Sequence, residues 1–274
     1  MRVALRRAAH QLLDDPPVFD DPLAIRIIGP PDADALRANP RAHDATPFDR
    51  ALRAFLAARS RIAEDALARA VGAGVRQYVV LGAGLDTFAY RNPFADLEVF
   101  EVDFPATQAW KRACLDAAGI APPASLRFVP VDFERQSLTS ELAAAGLDPA
   151  RPVWFSWLGV TPYLERAAVM ATLGDIGRLA GANGGVAFDY GLDPSAMTIT
   201  QRAVLAALEA RVRRAGEPFR SAFVPAALMA DLRAMGFDDV EDLDPETINS
   251  RFFDGRRDGL RVGTLGHMAI ARRT

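Results

Sequence analysis

A glycine turn after an apolar segment is the first place where this sequence could do chemistry. The segment reads Val79-Val80-Leu81-Gly82-Ala83-Gly84-Leu85-Asp86-Thr87. Glycine lets the backbone approach a ligand closely, and open α/β sheets bind nucleotides at the carboxyl end of the first strand. A tight turn without a ligand would also explain these glycines. Because Thr87 stands where a dinucleotide-binding motif needs a third glycine, the turn favours a cofactor without a pyrophosphate.

Carboxylates follow the next two predicted strands. Glu101 and Asp103 lie about twenty residues after the turn, where an acidic residue binds ribose hydroxyls in such folds. Alternation along the strand puts both on the same side, so either could serve, and one could instead cap the next helix. Asp132 ends the third strand and suits the exocyclic amine of adenine, with a helix N-cap as the alternative. The turn and the carboxylates together predict a nucleoside-containing cofactor.

The elements that must position these residues have the pattern of an α/β fold. From residue 75 onward, apolar segments of strand length alternate with helical segments, which predicts a mostly parallel sheet with helices on both faces. The predicted strands are 78–81, 99–102, 126–131, 153–157, 185–189, 239–243 and 265–271. The predicted helices are 2–13, 47–71, 106–118, 138–145, 165–180, 196–215 and 225–235. The N-terminal quarter is therefore predicted to be helical and free of strands.

Composition narrows the classes of partner. The chain has 274 residues and a formal net charge of -3 without long runs of one sign, which disfavours nucleic acid and anionic membrane surfaces as partners. Cys114 is the only cysteine and there are three histidines, so neither a disulfide framework nor a metal site is predicted. No segment has the length and apolarity of a signal peptide or a transmembrane helix. A cytoplasmic protein with a small-molecule or protein partner is expected.

Six segments spread over residues 15–190 carry a further signal. They are Asp20-Asp21-Pro22-Leu23-Ala24, Ala58-Arg59-Ser60-Arg61-Ile62-Ala63-Glu64-Asp65, the stretch 76–91 around the glycine turn, Phe100-Glu101-Val102-Asp103-Phe104-Pro105, Val129-Pro130-Val131-Asp132, and Gly159-Val160-Thr161-Pro162-Tyr163-Leu164. Together they resemble the leucine carboxyl methyltransferase family of S-adenosylmethionine-dependent enzymes, in particular its bacterial branch, which includes enzymes acting on polyketides. The resemblance implies a Rossmann-like class I methyltransferase fold, with a seven-stranded sheet, an antiparallel last strand and an N-terminal helical cap.

The resemblance also implies site residues for S-adenosylmethionine. Arg59 would pair with the cofactor's carboxylate, for which its planar guanidinium is suited. The turn of Gly82, Ala83 and Gly84 would lie under the cofactor, and Asp103 would hold the ribose. The adenine would meet Asp132 and the backbone of Phe133. Leu158 stands where the family usually has a glutamate beside the cofactor, which could weaken cofactor binding or reflect a different acceptor.

Tyr163 is the candidate to face the methyl group and the acceptor, with packing under a lid as the alternative. His10, His43 and His267 are expected to be structural or exposed rather than catalytic. Residues 1–70 are predicted to form the helical cap and residues 71–274 the cofactor-binding domain. Residues 192–222 are more charged than a crossover requires, so they form either a lid near the acceptor or an ordinary surface helix.

Three functions follow from these observations. The first is an O-methyltransferase that acts on a carboxylate or hydroxyl of a small metabolite, with polyketides as one class. The second is a cofactor-binding protein without catalysis that serves as a partner or regulatory subunit, for which Leu158 is the main support. The third, a nicotinamide-dependent oxidoreductase, is disfavoured by Thr87 and by the presence of a single lysine, Lys111.

Overall fold

The computed structural model of this chain describes residues 1–132, 135–214 and 218–274. Its centre is a seven-stranded sheet in the order β3-β2-β1-β4-β5-β7-β6. Only β7 runs antiparallel to its neighbours, β5 and β6. The strands are β1 Gln77–Leu81, β2 Glu98–Asp103, β3 Leu126–Pro130, β4 Val153–Trp157, β5 Gly185–Gly191, β6 Asp239–Leu243 and β7 Gly266–Arg272. The predicted fold class is confirmed.

Helices cover both faces of this sheet and precede it. They are α1 Arg2–Leu13, α2 Ala24–Ile27, α3 Pro30–Ala38, α4 Pro47–Gly72, α5 Pro105–Ala117, α6 Leu138–Ala144, α7 Arg166–Leu179, α8 Ile199–Arg214, α9 Pro225–Ala234 and α10 Pro245–Phe252. The prediction of a helix that starts at residue 196 is wrong, because Pro194–Ala196 forms a separate 3-10 turn and α8 starts at Ile199. Helix α10 has no counterpart among the predicted helices, and its N-cap Asp244 accepts a hydrogen bond from Thr247 N.

Two apolar cores lie on opposite faces of the sheet. One face packs on α4, whose side chains Ala58, Ile62 and Leu67 join Tyr78 and Trp154 of the strands. The other face packs on α6, α7 and α9. Strands buried on both faces have nearly continuous apolar sequences, as β1 and β4 do, because neither face reaches water. Polar side chains are therefore found mainly at the strand ends, where the candidate functional site described below lies.

The first three helices form a third apolar cluster beside the glycine turn. Alanines of α1 pack there with Ile27 and Leu36, and against Leu85 of the turn and Leu115 of α5. Helix α4 packs on the sheet and also contacts α1. The division into a cap of residues 1–70 and a domain of residues 71–274 stays a prediction. The contact with Leu85 nonetheless places α1 directly over the turn.

Candidate functional site

A cavity of about 190 Å³ lies over the glycine turn. It is bounded by the carboxyl ends of β1 and β4, by α1 and by Trp110 of α5. Five of the residues predicted to bind a cofactor line it: Arg59, Gly82, Ala83, Gly84 and Leu158. Ligands of open α/β sheets bind at this edge, where neighbouring strands lead to opposite sides of the sheet. The cavity is therefore the candidate cofactor site.

The glycine turn has a geometry that other residues do not readily adopt. Gly82 has a φ of 66°, and a Cβ there would lie 2.4 Å from Cγ2 of Val160. Gly84 has a φ of 46°, but a Cβ there would meet only the carbonyl oxygen of Gly82, at 4.0 Å. Gly82 is therefore required by protein packing, whereas Gly84 leaves open space beside the cavity. This space fits a ligand that lies directly on the backbone.

Asp103, rather than Glu101, has the exposure that ribose binding requires. The Asp103 carboxylate is partly exposed and accepts hydrogen bonds from Gly84 N at 2.6 Å and Phe104 N at 2.7 Å. Glu101 is 1 % exposed and lies 2.7 Å from Nζ of Lys111. Burial raises the pKa of Glu101 to about 7, although Lys111 acts in the opposite direction. Of the two alternatives that the sequence left open, only Asp103 is both accessible and attached to the turn.

Asp132 lies after β3, as predicted, but does not line the described cavity. Its backbone N donates to Gln136 Oε1 at 2.9 Å, and its side chain is partly exposed. The N-cap of α6 is Ser137, whose side chain accepts a hydrogen bond from Ser140 N. Phe133, predicted to meet the adenine through its backbone, lies outside the described residues.

Arg59 pairs with a carboxylate that the sequence analysis did not single out. Its Nη1 donates to Oδ2 of Asp189 at 2.7 Å, and both residues are buried. Asp189 lies near the end of β5, and its Oδ1 accepts from Gly159 N at 2.5 Å. A Cβ on Gly159 would lie 2.8 Å from Nη2 of Arg59, so the guanidinium packs directly on this glycine. A carboxylate near a strand end was the available signal, as at Asp103.

A second cavity, of about 250 Å³, adjoins the first. Its wall is mainly apolar and includes Phe55, Met197 and Leu208. Arg59 and Gly159 line both cavities. Tyr163 lines the second cavity and packs against Phe219 with ring centroids 5.7 Å apart. Several residues of the 192–222 segment also line it, and the role of this segment as a lid stays a prediction.

A buried polar network joins α1 to the glycine turn. Asp21 is fully buried and accepts hydrogen bonds from Arg7 and from Thr87 Oγ1, the latter at 2.7 Å. Arg7 also donates to Thr87 Oγ1, at 3.0 Å, and lines the cofactor cavity. Arg91 donates to Thr87 Oγ1 at 3.2 Å. Thr87, which replaces the third glycine of a dinucleotide motif, therefore anchors the turn to the N-terminal helices.

His10 is structural, as expected. Its Nδ1 lies 2.5 Å from Oδ2 of Asp14, and its Nε2 accepts from the backbone N atoms of Val18 and Phe19. The ring is therefore neutral, with its proton on Nδ1 directed at Asp14. Burial, together with Arg53 and Arg256, lowers the pKa of His10 to about 4.

This pKa predicts how stability depends on pH. Unfolded histidine binds a proton near its ordinary pKa of 6.5, whereas folded His10 does so near 4. The contribution of His10 to the free energy of unfolding is therefore fully present above about pH 6.5. Up to about 3 kcal/mol is lost as the pH drops to about 4. Urea unfolding at a series of pH values measures this slope. His10→Gln should flatten it and the exposed His43→Gln should not; equal slopes in all three proteins would contradict the assignment.

The fold and the site define a class. A sheet in this order with β7 reversed, together with a cavity at the carboxyl ends of β1 and β4, is the architecture of class I S-adenosylmethionine-dependent methyltransferases. A methyltransferase from Thermobifida fusca, described as putative in its crystal structure, aligns with a TM-score of 0.56 and 18% identity over 89% of this chain and 88% of its own. The apo methyltransferase SibL aligns with a TM-score of 0.51 and 17% identity over 78% of this chain and 55% of its own. These likenesses support the fold.

The chain belongs to the leucine carboxyl methyltransferase family. Residues 1–177 match this family. "Putative S-adenosyl-L-methionine-dependent methyltransferase YktD" of Bacillus subtilis is 34% identical over 208 residues, which cover 74% of this chain and 67% of that protein. A relative of the same description from Saccharopolyspora erythraea is 36% identical over 188 residues, or 64% of this chain and 62% of its own length. The alignments thus span about two thirds of these relatives. The predicted family is confirmed, and the predicted enzyme class and cofactor agree with the relatives' names.

Within residues 1–132, 135–214 and 218–274, no helix has the length and apolarity needed to cross a bilayer. The same residues contain no group of three or more histidine, cysteine or acidic side chains arranged to hold a metal ion.

Proposed function

We propose that this protein binds S-adenosylmethionine over the glycine turn and transfers its methyl group to an oxygen of a small apolar acceptor in the second cavity. The observation that carries the proposal is the boundary between the cavities, since Arg59 and Gly159 line both. Two ligands, one in each cavity, would meet at these two residues. A single enclosed site for one ligand would not need this shared wall.

The proposed roles of the binding residues follow their positions. Arg59 offers N–H groups to the cofactor's carboxylate beside its bond to Asp189. The turn carries the cofactor on its backbone, and Asp103 accepts hydrogen bonds from the ribose. Leu158 contacts the cofactor in place of a glutamate, and Asp132 and the backbone of Phe133 are proposed to meet the adenine.

Methyl transfer requires that the acceptor oxygen and the methyl group are aligned, and it does not require a nucleophilic residue of the protein. When bound, S-adenosylmethionine supplies a methyl group activated by a sulfonium. The residues at the cavity boundary hold the acceptor oxygen in line with that methyl group and exclude water. A carboxylate acceptor is already ionised, whereas a hydroxyl must lose its proton during the transfer. Tyr163, which lines the second cavity, is proposed to face the methyl group and the acceptor.

The second cavity supports an apolar acceptor. Its lining includes Phe48, Leu52, Phe55, Leu205 and Leu265, so an apolar carbon skeleton would be buried there. We include a carboxylate or hydroxyl of a polyketide as one acceptor class. We also propose that the protein works in a reducing cytoplasm, where a single cysteine needs no partner.

Calorimetric titration with S-adenosylmethionine and its demethylated product tests the cofactor assignment. Micromolar binding is expected, and Asp103→Ala should weaken it by about a hundredfold because a charged hydrogen-bond acceptor for the ribose is lost. The exposed Asp239→Ala, on the far edge of the sheet, should leave binding unchanged. Trp110 provides a second readout, since it lines the cavity at 37% exposure while Trp154 and Trp157 are buried.

The results of the titration and of a methyl-transfer assay distinguish three possible functions. Binding followed by transfer of a labelled methyl group supports the proposal. Binding without transfer across a panel of apolar acids, phenols and alcohols would favour a partner or regulatory protein. NAD binding in place of both adenosyl ligands would favour an oxidoreductase and overturn the assignment.

A further inference from the structure

Asp189 presents its carboxylate at the boundary between the two cavities. It lines the second cavity, and each carboxylate oxygen accepts one hydrogen bond: Oδ2 from Arg59 at 2.7 Å and Oδ1 from Gly159 N at 2.5 Å. Its backbone oxygen accepts from Thr161 Oγ1 at 2.5 Å. A carboxylate has about four lone-pair directions, so two remain for a ligand. The residue is thus fixed in place and still able to accept a hydrogen bond.

The charges around the second cavity favour a neutral ligand. Among its described lining residues, three are charged: Arg59, Asp189 and Glu209. The charge of Arg59 is balanced by Asp189, so Glu209 is the remaining charged side chain among these described residues. A carboxylate brought into this apolar cavity would be repelled by Glu209. A hydroxyl would instead donate a hydrogen bond to Asp189.

We propose that the acceptor is a neutral hydroxyl on an apolar skeleton, a phenol or an alcohol, and that Asp189 binds this hydroxyl and takes its proton. The inference rests on the proposed methyl transfer. The hydroxyl oxygen forms a bond to the methyl carbon as the carbon–sulfur bond breaks, and the sulfonium becomes a neutral thioether. The hydroxyl proton passes to a carboxylate oxygen of Asp189 and then to solvent. An oxygen that is gaining a methyl group becomes strongly acidic, so a carboxylate can accept its proton.

A matched pair of acceptors tests the charge preference. Complexes of the protein with the demethylated cofactor product are titrated with 2-naphthol and with 2-naphthoate, which share one carbon skeleton. We expect 2-naphthol to bind about tenfold more tightly and to be the acceptor that is methylated. Equal or tighter binding of 2-naphthoate would overturn the inference, as would binding of neither compound.

Two substitutions should change the preference in different ways. Glu209→Gln should tighten 2-naphthoate binding about fivefold, because it removes a charge that repels a carboxylate. Asp189→Asn should lower kcat for 2-naphthol about a hundredfold, because an amide cannot take the proton. Unchanged kcat in Asp189→Asn would overturn the role of this residue. If the wild-type protein binds no adenosyl ligand, the proposed cofactor fails instead, and the two failures are distinguishable.

Asp49→Asn is the matched control for a structural effect. Asp49 is 5% exposed like Asp189, and it pairs with Arg6 at 2.8 Å, but it lines neither of these cavities. Both asparagine variants should lose stability, which thermal unfolding measures. Only Asp189→Asn should change kcat, and the ratio of the two naphthyl affinities should stay at the wild-type value in Asp49→Asn.

Discussion

Replacing Asp21 by alanine is expected to lower the free energy of unfolding by about 3–5 kcal/mol, because it removes the carboxylate that pairs with the buried guanidinium of Arg7. The side chain of Asp21 is fully buried, and those of Arg7 and Arg91 are 9% and 15% exposed. Burial by itself raises the pKa of Asp21, but Arg7, Arg91 and Thr87 outweigh it and hold the pKa below its usual value. The ionised carboxylate is thus bound more favourably in the folded state. Urea unfolding at neutral pH measures the loss.

The same substitution should weaken cofactor binding, since Arg7 lines the cavity and Thr87 ends the glycine turn. Asp65→Ala is the control, because Asp65 forms an exposed pair with Arg61 within one helix and should cost under about 1 kcal/mol. Because the pKa of Asp21 is lowered on folding, its contribution is present above the pKa of an unfolded aspartate and is lost as the pH falls through the folded value. A loss as small as that of Asp65→Ala would contradict the role of this network.

Local patterns were sufficient to predict the sheet and the turn. The central strands β1, β4 and β5 are short apolar segments because helices cover both faces of the sheet, and such segments are visible in sequence without knowing their neighbours. The glycine turn was equally visible, since Gly82 and Gly84 adopt backbone angles that few other residues tolerate. The bounds of β4 and β6 agree to the residue with the predicted strands 153–157 and 239–243.

Contacts between distant residues could not be predicted in this way. The Arg59–Asp189 pair joins positions 130 residues apart, and Asp21–Thr87 joins positions 66 apart. Nothing in the local spacing of a carboxylate reveals which cation it will meet after folding. The choice between Glu101 and Asp103 was open for the same reason, because both lie on one side of β2 and only the position of Lys111 on α5 separates them.

Gly82→Ala, a substitution in the glycine turn, is expected to reduce both stability and cofactor binding strongly. The added Cβ would lie 2.4 Å from Cγ2 of Val160, a stiff side chain on the loop after β4. Together with the positive φ, this overlap is expected to cost about 3 kcal/mol of stability. The loop carrying Val160 also carries Gly159, so a shift to relieve the overlap would move the wall shared by the two cavities. We therefore expect cofactor binding to fall about a hundredfold, as measured by calorimetry.

Alanine substitutions at two other glycines distinguish the steric overlap with Val160 from the effect of the positive φ and from a contact with the ligand. Gly119→Ala has nearly the same φ, 62°, but nothing within 4 Å of the added Cβ, so it should cost only the backbone term of about 1–2 kcal/mol and leave binding unchanged. Gly84→Ala, where the Cβ would enter open space beside the cavity, should weaken binding about tenfold or more with a stability cost no larger than that of Gly119→Ala. If Gly82→Ala matched Gly119→Ala in both measurements, Val160 would not constrain the turn. If Gly84→Ala bound the cofactor normally, the ligand would not lie on this backbone.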